Sequence, residues 1–501
     1  MSYHGGKTFC NFAVMANVLI SNTYFLALDP KQQDNMQPYP PLGALYAAAV
    51  LERDGHHVEF IDTIFEPSAA SVFPTIKQFS GNIFFICDDG FNYLTKMCLV
   101  NMRNACYDLI AYAKENNYQV IISSSDATDH SLEYLEHGAD FIIIGEVEIT
   151  LQQLINALQS KLTDFNTING IAYLHESELI KTVPRPVLHD LDSLPLPAWK
   201  LIQMDVYKNA WINRSGYFSL NMTTTRGCPF KCNWCAKPIY GNRYNSRSPE
   251  QVVEEIAFLI KNYQVEHIWF CDDIFGLKPG WIKQFSELVV SKNLQFKFKI
   301  QCRADLLLDD ENIHHLAIAG CDEIWIGAES GSQKILDAMD KGTTVEQIYT
   351  ATRLMQKHGI NPCLFLQFGY LGELQSDIDL TLKMVFDLMP HDIGISVSYP
   401  LPGTKFYEKV KSQLHIKQNW TDSDELLLMY KGTYSPAYYK QLHRYIHKKF
   451  RLAQGKKYFR SLLKGERKPN KTITRRILTM PLFFVTAIWH KRNMDLLSKQ
   501  Q

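Results

Sequence analysis

The sequence predicts an α/β protein with two successive parallel-sheet domains and a helical C-terminal extension. Apolar strand-like runs alternate with helical stretches twice along the 501 residues, the pattern of repeated strand–helix units. A proline-spaced stretch separates the two series, and the charge of the chain changes sign near its end. We expect an α/β domain over residues 10–165, a linker over 166–212, a barrel over 213–430 and a basic helical extension over 431–501.

The first series of strands predicts a doubly wound, Rossmann-like sheet. The strand-like runs are at residues 17–21, 58–62, 82–87, 119–123 and 141–145. Runs this apolar indicate parallel strands that are covered on both faces by helices. Such sheets bind ligands in the crevice beyond the carboxyl ends of their strands.

The second series predicts a partial TIM-type barrel. Its strand-like runs are at residues 267–271, 296–300, 323–327, 363–369 and 393–398, with helical stretches such as 249–262 and 345–358 between them. Right-handed strand–helix units close or nearly close into a barrel whose chemistry lies on the face formed by the carboxyl ends of the strands.

Composition is that of a soluble globular protein, with 46% hydrophobic and 21% charged residues and no net charge. No charged-then-apolar leader begins the chain, so we expect a cytoplasmic protein. The apolar run at residues 477–489 contains Pro481 and is shorter than the roughly 20 residues that span a bilayer. In a reducing compartment, cysteines serve as metal ligands or buried thiols rather than as disulfides.

The C-terminal extension is strongly basic. From residue 431 onward it holds 18 Lys and Arg residues against two acidic residues, Glu466 and Asp495, and aromatic residues alternate with the basic ones. A solvated helical cap over the barrel is the favoured interpretation. The second is peripheral contact with an anionic membrane surface, and nucleic-acid binding is the least favoured.

Three cysteines carry the main functional prediction. Cys228, Cys232 and Cys235 lie within eight residues of one another. A [4Fe–4S] cluster usually takes four cysteines, so three leave one iron open to a substrate or cofactor. A zinc knuckle is the alternative, but it needs a fourth Cys or His nearby, and residues 217–263 contain none beyond these three.

This cysteine spacing, with an aromatic residue before the last cysteine, resembles that of the radical S-adenosylmethionine (SAM) superfamily. The resemblance extends over residues 218–407. Its landmarks are Asp272-Asp-Ile-Phe, Arg303-Ala-Asp, Gly327-Ala-Glu-Ser-Gly-Ser, Lys341-Gly-Thr and Pro400-Leu-Pro-Gly-Thr.

The resemblance implies a [4Fe–4S] cluster whose open iron is chelated by the amino and carboxylate groups of SAM, which is then cleaved to a 5′-deoxyadenosyl radical. It further implies SAM-binding roles for five residues: Trp234 near the adenine, Asp273 for the amine, Arg303 for the carboxylate, and Glu329 and Ser330 for the ribose or methionine part. The structural alternatives are a helix cap for Asp273 and a surface ion pair with Asp305 for Arg303.

The first domain resembles the cobalamin-binding domain that precedes many radical SAM cores. The matching stretches are Pro40-Pro-Leu-Gly, residues 55–62 and residues 145–151. The resemblance implies cobalamin contacts at Asp126, Thr128, Gly145 and Glu146. In many such domains a motif with a histidine supplies a ligand to cobalt, and Asp54-Gly-His begins such a motif here. Glu59 stands where the motif requires glycine, so we expect no histidine ligand to cobalt from it. A purely structural sheet domain is the alternative.

Together these features predict a radical SAM enzyme, similar to the anaerobic oxidative cyclase and methylase class. We expect it to be cobalamin-dependent and to methylate an unactivated carbon, or to cyclise or oxidise a small-molecule or lipid-like substrate. Flavodoxin or ferredoxin is the expected electron donor. No catalytic acid or base can be singled out.

Two alternatives remain. One is a methylthiotransferase or another RNA-modifying radical SAM enzyme, which predicts a second cluster drawn from Cys10, Cys87, Cys98 and Cys106. The other is a non-catalytic cobalamin- or redox-binding protein.

Overall fold

A computed structural model describes residues 15–88, 90–235, 241–466, 468–469 and 471–499. Two mainly parallel sheets with flanking helices are followed by three C-terminal helices. This architecture confirms the predicted α/β class with its helical extension.

The N-terminal sheet has seven strands in the order β2-β1-β3-β4-β5-β6-β7. The first five are parallel, and their order is that of a flavodoxin-like doubly wound sheet. The strands are β1 (Asn17–Ser21), β2 (His57–Ile61), β3 (Ile83–Cys87), β4 (Gln119–Ser123), β5 (Phe141–Ile143), β6 (Ile171–His175) and β7 (Glu178–Lys181). The helices are α1 (Pro30–Asn35), α2 (Leu42–Arg53), α3 (Phe73–Gln78), α4 (Tyr93–Lys96), α5 (Val100–Glu115), α6 (Ser125–Asp129), α7 (Ser131–Glu136) and α8 (Val147–Gln159).

Strands β6 and β7 lie inside residues 166–212, where the sequence predicts a linker. They form a hairpin, and β6 pairs antiparallel with β5. Ile171 and Ala172 are fully buried against the sheet, whereas the outer strand β7 is half-exposed. The hairpin therefore belongs to the first sheet, and the connecting stretch is shorter than predicted.

The second sheet has six parallel strands in the order β15-β14-β13-β12-β11-β8, with β8 and β15 at its two edges. The strands are β8 (Ser219–Met222), β9 (Thr225–Arg226), β10 (Asn245–Ser246), β11 (His267–Phe270), β12 (Lys297–Cys302), β13 (Cys321–Glu329), β14 (Asn361–Phe368) and β15 (Asp392–Val397). The helices are α9 (Met204–Ser215), α10 (Pro249–Tyr263), α11 (Trp281–Ser291), α12 (Asp310–Ile318), α13 (Gln333–Ala338), α14 (Val345–Lys357), α15 (Gln375–Leu388) and α16 (Lys405–Val410). Strands β9 and β10 form a separate two-stranded ladder.

The sequence does not predict β8, because two of its four residues are polar. Both are nevertheless buried. The Ser219 hydroxyl lies 3.2 Å from that of Tyr39, and the Asn221 amide donates to the carbonyl of Pro40 at 3.0 Å. These polar side chains make hydrogen bonds to the N-terminal domain, so β8 is an interdomain strand rather than a half-exposed loop.

The C-terminal extension consists of α17 (Pro436–Leu463), α18 (Lys471–Leu478) and α19 (Met480–Leu497). Helix α17 is fixed to the barrel by Arg451, which donates to Asp392 at 2.9 Å, and by Gln454, which donates to the His391 carbonyl at 2.7 Å. Among the described residues, no helix combines the length and apolarity needed to cross a membrane.

Candidate active site

The three cysteines of the motif share one loop that leaves the carboxyl end of β8. The loop is closed at its base by the pairing of β9 with β10 and by a hydrogen bond of 2.8 Å from the Arg247 amide to the Thr224 carbonyl. Cys228 is buried, and Cys232 and Cys235 are half-buried. The loop therefore places three cysteines on the face where barrel enzymes carry their chemistry.

Asp272 fixes the backbone that leads into this loop. Its carboxylate accepts hydrogen bonds from the Thr223 hydroxyl at 2.9 Å and from the backbone amides of Thr224 and Thr225 at 2.7 and 2.9 Å. Burial raises the pKa of Asp272 to about 6, although these donors act in the opposite direction. The residue joins the ends of β8 and β11, which makes it a positioning residue for the cysteine loop.

Asn233, between the second and third cysteines, anchors the tip of the loop. Its amide nitrogen donates to the Ala338 carbonyl at 2.8 Å, and its amide oxygen accepts from the Tyr370 hydroxyl at 2.9 Å. Its backbone N–H and C=O bond to Met339 and Phe406. Sequence reasoning missed this residue, because nothing in the motif shows that the side chain is 3% exposed.

Cations surround the thiols. The guanidinium of Arg303 lies 3.6 Å from the Cys232 sulfur, stacks 3.7 Å from the Phe230 ring and pairs with Asp305 at 3.0 Å. The predicted ion pair with Asp305 therefore exists, but Arg303 is only 5% exposed and also faces the cysteine loop.

Lys341 and Lys96 supply two more positive charges. Lys341 pairs with Glu329 at 2.9 Å, and Lys96 of the N-terminal domain pairs with Asp273 at 3.0 Å. Burial opposes the charge on both lysines, yet their carboxylate partners and the nearby thiols raise the pKa of each. Together with Arg303, they place three positive charges beside the cysteine loop.

The donor set fits a cluster with three cysteine ligands. Within the described ranges, no three His, Cys, Asp or Glu side chains gather closely enough to hold a single metal ion. The three cysteines of the loop are no exception, so the loop is not arranged for any single metal ion. The other nearby thiols, Cys271 and Cys302, donate to main-chain carbonyls instead.

Four of the five residues predicted to bind SAM lie around this loop. Lys341 connects them: it pairs with Glu329, its ammonium lies 5.9 Å from the Trp234 ring, and the Cys232 thiol reaches its carbonyl at 4.0 Å. Arg303 contacts Cys232, and Asp273 is paired with Lys96 rather than capping a helix. The buried indole N–H of Trp234 has no hydrogen-bond partner among the described residues. It could donate to a bound ligand.

Ser330 differs from these four. It is fully buried, its hydroxyl lies 3.1 Å from that of Thr381, and it accepts the Ser332 amide at 3.1 Å. Its hydroxyl is therefore used within the fold, where it fixes the turn after β13. Glu329 just before it has a positive φ of 58°, which re-aims the chain at the end of the strand.

The residues predicted to bind cobalamin are only partly brought together. A cleft at the carboxyl ends of β3, β4 and β5 has a volume of about 30 Å³ and is lined by Thr128, Gly145 and Glu146. Small residues, including Gly43 and Ser124, line the rest, so a ligand could approach the backbone closely. A space of this size admits about one water molecule, so the cleft would have to widen to hold a cobalamin.

Asp126 is not part of this cleft. Its buried carboxylate forms an ion pair with Arg103, with an Nε–Oδ2 distance of 2.6 Å, and accepts a hydrogen bond of 2.7 Å from the Tyr134 hydroxyl. Glu146 lines the cleft but is also paired with Arg226 of the cysteine loop at 3.2 Å. Both carboxylates therefore have structural partners that the sequence did not predict.

No histidine lines the cleft within the described residues. His56, from the incomplete histidine-ligand motif, precedes β2 and so lies at the opposite edge of the sheet. Its Nδ1 accepts a hydrogen bond from the Ala16 amide at 3.1 Å.

Three of the cysteines considered for a second cluster, Cys87, Cys98 and Cys106, are buried thiols. Cys87 and Cys98 donate to the carbonyls of Asp88 and Lys96, each at 3.7 Å. Burial raises the pKa of Cys98 and of Cys106 well above the usual value. Cys10 lies outside the described residues.

A second cavity, of 150 Å³, lies between the two domains. It is lined by Tyr39 of the N-terminal domain and by Trp269 and Lys299 of the barrel, among others. The Lys299 ammonium lies 5.4 Å from the centroid of each ring, within the range of a cation–π contact.

Comparison with known proteins agrees with this geometry. The family model of the radical SAM superfamily matches residues 222–385, which include the cysteine loop, Arg303 and Glu329. Residues 222–385 form a radical SAM domain.

Two relatives and one solved structure show how far the similarity extends. This radical SAM protein is 28% identical over 391 residues to an uncharacterised methyltransferase of Pyrococcus horikoshii, covering 76% of this chain and 81% of that protein. It is 25% identical over 412 residues to the anaerobic magnesium-protoporphyrin IX monomethyl ester cyclase of Synechocystis sp., covering 81% and 79%. The structure of the cobalamin-dependent SAM radical enzyme OxsB with aqua-cobalamin bound superposes with a TM-score of 0.72 at 19% identity, covering 95% of this chain and 72% of that one. At that identity the superposition establishes the shared fold.

We expect Asn233→Ala to loosen the cysteine loop. The substitution removes the hydrogen bonds that the Asn233 side chain makes with Ala338 and Tyr370, although the Tyr370 hydroxyl keeps its bond to the Ala338 carbonyl, and should cost about 1 kcal/mol of stability. After anaerobic reconstitution, iron should be lost to a chelator several-fold faster than from the unmodified protein.

The comparison variant is Tyr370→Phe, which removes the hydrogen bonds of the hydroxyl to Asn233 and to Ala338 and keeps the bond from Asn233 to Ala338. It should have an intermediate rate of iron loss. Equal rates for all three proteins would show that Asn233 does not hold the loop.

Proposed function

We propose that this radical SAM enzyme is cobalamin-dependent. On this proposal it methylates an unactivated carbon of a small-molecule or lipid-like substrate, or cyclises or oxidises that substrate by radical chemistry. One observation carries the proposal: the cysteine loop of the barrel and the cleft of the N-terminal sheet meet at one interface, joined by Arg226. Two cofactors held there would act on one substrate between the domains.

The cysteine loop would hold the cluster through Cys228, Cys232 and Cys235. When bound, a [4Fe–4S] cluster supplies electrons for reductive cleavage of SAM, and a corrinoid supplies a carrier for methyl groups. Arg303, at Cys232, offers donors for a carboxylate by charge-assisted hydrogen bonding.

The remaining residues of the site would orient SAM and exclude water. The indole N–H of Trp234, which has no partner among the described residues, would donate to it, and Lys341 would hold the Glu329 carboxylate in one orientation. Asp273, held by Lys96, would meet a cationic amine. Because the domains pack over this face, reactive species formed there would be shielded from solvent.

We place the substrate in the interdomain cavity beside Tyr39, Trp269 and Lys299. Aromatic faces suit an apolar or planar body, and the ammonium of Lys299 suits an anionic group. Flavodoxin or ferredoxin remains the proposed electron donor.

An RNA-modifying enzyme of the methylthiotransferase type is less well supported. That alternative predicts a second cluster and a small β-domain at the C-terminal end. The described part of the chain after residue 435 is instead mainly helical. Cys87 and Cys98 donate to main-chain carbonyls, and Cys106 is buried.

The cluster assignment predicts that Cys232→Ala abolishes activity. The unmodified protein, reconstituted anaerobically, should hold about four irons per chain and release 5′-deoxyadenosine or S-adenosylhomocysteine from SAM in the presence of a reductant. Cys232→Ala should lose the cluster absorption and form no product.

Cys106→Ala is the matched control, since it removes a buried thiol of the N-terminal domain. It should keep the iron content and the products of the unmodified protein. A fall in iron for Cys106→Ala would favour the second-cluster alternative, and a colourless zinc protein would refute the cluster altogether.

The cobalamin proposal predicts that Thr128→Trp blocks corrinoid binding by filling the cleft. The unmodified protein should retain about one hydroxocobalamin per chain after gel filtration, measured by its absorption, in line with one cleft per chain. Thr128→Trp should retain less than a tenth of that amount with its iron content unchanged.

Thr128→Val, which keeps the volume of the side chain, should still bind. Retention of iron without any corrinoid by the unmodified protein would contradict the cobalamin proposal and leave the N-terminal sheet a structural domain.

A further inference from the structure

The outer face of α19 is unusually apolar for a surface helix. Phe484, Val485, Ile488 and Trp489 are 54%, 63%, 56% and 54% exposed, and Leu482 before them is 60% exposed. Scattered apolar residues are normal on protein surfaces, but a contiguous patch of large ones marks an interaction site.

This exposure does not come from a detached helix. The opposite face of α19 packs on α17 through Ala487, His490 and Met494, which are 7%, 6% and 1% exposed. His490 is also fixed by Gln441 of α17, with an Nδ1–Oε1 distance of 2.8 Å. Helix α19 is therefore seated on the protein and still presents a second apolar face to solvent.

The apolar face continues into a groove between α17 and α19. The groove has a volume of about 550 Å³ and is lined by Tyr445, Leu452, Phe484, Ile488 and Leu496, among others. Aromatic and aliphatic side chains thus cover both the solvent-exposed face of α19 and the groove beside it.

Basic residues border this face. Lys449, Lys491, Arg492 and Lys499 line the same groove, and Arg475 of α18 is exposed. The one carboxylate there, Asp495, is already paired with Lys491. Over residues 431–501 there are 18 Lys and Arg against two acidic residues, so the surface is both apolar and cationic.

We propose that α18 and α19 dock on the surface of an anionic phospholipid bilayer, with the apolar face of α19 inserted among the acyl chains. An apolar helix face bordered by Lys and Arg binds in the plane of such an interface. No described helix is able to span the bilayer, so the contact is peripheral. A second copy of the chain fits less well, because two such surfaces would bring like charges together.

Vesicle flotation tests this proposal with the full-length protein reconstituted with its cluster. The vesicles are phosphatidylcholine alone or two parts phosphatidylcholine to one part phosphatidylglycerol. The protein should float with the phosphatidylglycerol vesicles at low salt and much less with the neutral vesicles. Binding should weaken as salt is raised, because salt screens exposed charges.

Two double variants separate the apolar and the electrostatic contributions. Phe484→Ser with Ile488→Ser should weaken vesicle binding at least about tenfold, since two apolar side chains no longer insert. Arg492→Gln with Lys499→Gln should weaken it about tenfold for anionic vesicles. All four positions are exposed or at the groove, so the variants should keep their circular dichroism and iron content.

Val290→Ser is the matched control, because it removes an equally exposed apolar side chain (55%) from the outside of the barrel. It should bind vesicles like the unmodified protein. If the protein floats with neutral vesicles at high salt as well as with anionic vesicles at low salt, the basic residues do not contribute to binding. If it floats with neither kind of vesicle, the proposal is wrong. A dimer that forms without vesicles and is lost with Phe484→Ser and Ile488→Ser would assign the face to a second copy instead.

Discussion

The buried guanidinium of Arg226 is the contact on which the arrangement of the site depends. It lies two residues before Cys228 and is 3% exposed. Its Nη1 donates to the carboxylates of both Glu146 and Glu148 of the N-terminal domain, each at 3.2 Å. Its charged group also lies 5.7 Å from the Tyr46 ring centroid and 5.5 Å from that of Phe91. A buried charge of this kind is expensive to leave unpaired, at about 3–5 kcal/mol, so the two domains are held in one relative position.

This constraint links the two candidate cofactor sites. Glu146 lines the cleft of the N-terminal sheet, and its partner Arg226 begins the loop that carries the cysteines. Lys96 and Asp273 make a second interdomain ion pair beside the same loop. The site is therefore built at the junction, and neither domain contains it alone. A substrate between them would meet residues of both, such as Tyr39 and Trp269.

Local sequence patterns predicted the helices and strands well. They could not predict which side chains from distant segments form hydrogen bonds or ion pairs. The apolar runs at 17–21 and 119–123 became β1 and β4 with the same bounds, because a buried parallel strand is recognisable from its own residues. Strand β8 was missed since its polar residues are buried by the other domain. The cysteine spacing located the loop, but Lys96 and Asp273 are 177 residues apart, and no spacing rule connects them. Glu146 and Asp126 look like ligand-binding carboxylates at strand ends, and only the structure shows that each has a cationic partner.

The central claim is that one iron of the cluster is left without a protein ligand and takes SAM. Low-temperature electron paramagnetic resonance of the reduced protein tests this directly, with spectra recorded before and after SAM is added. We expect the signal of a reduced [4Fe–4S] cluster to change in shape and g-values on addition of SAM and to stay unchanged on addition of adenosine. A cluster signal that SAM does not alter, or the absence of a cluster signal, would contradict the account.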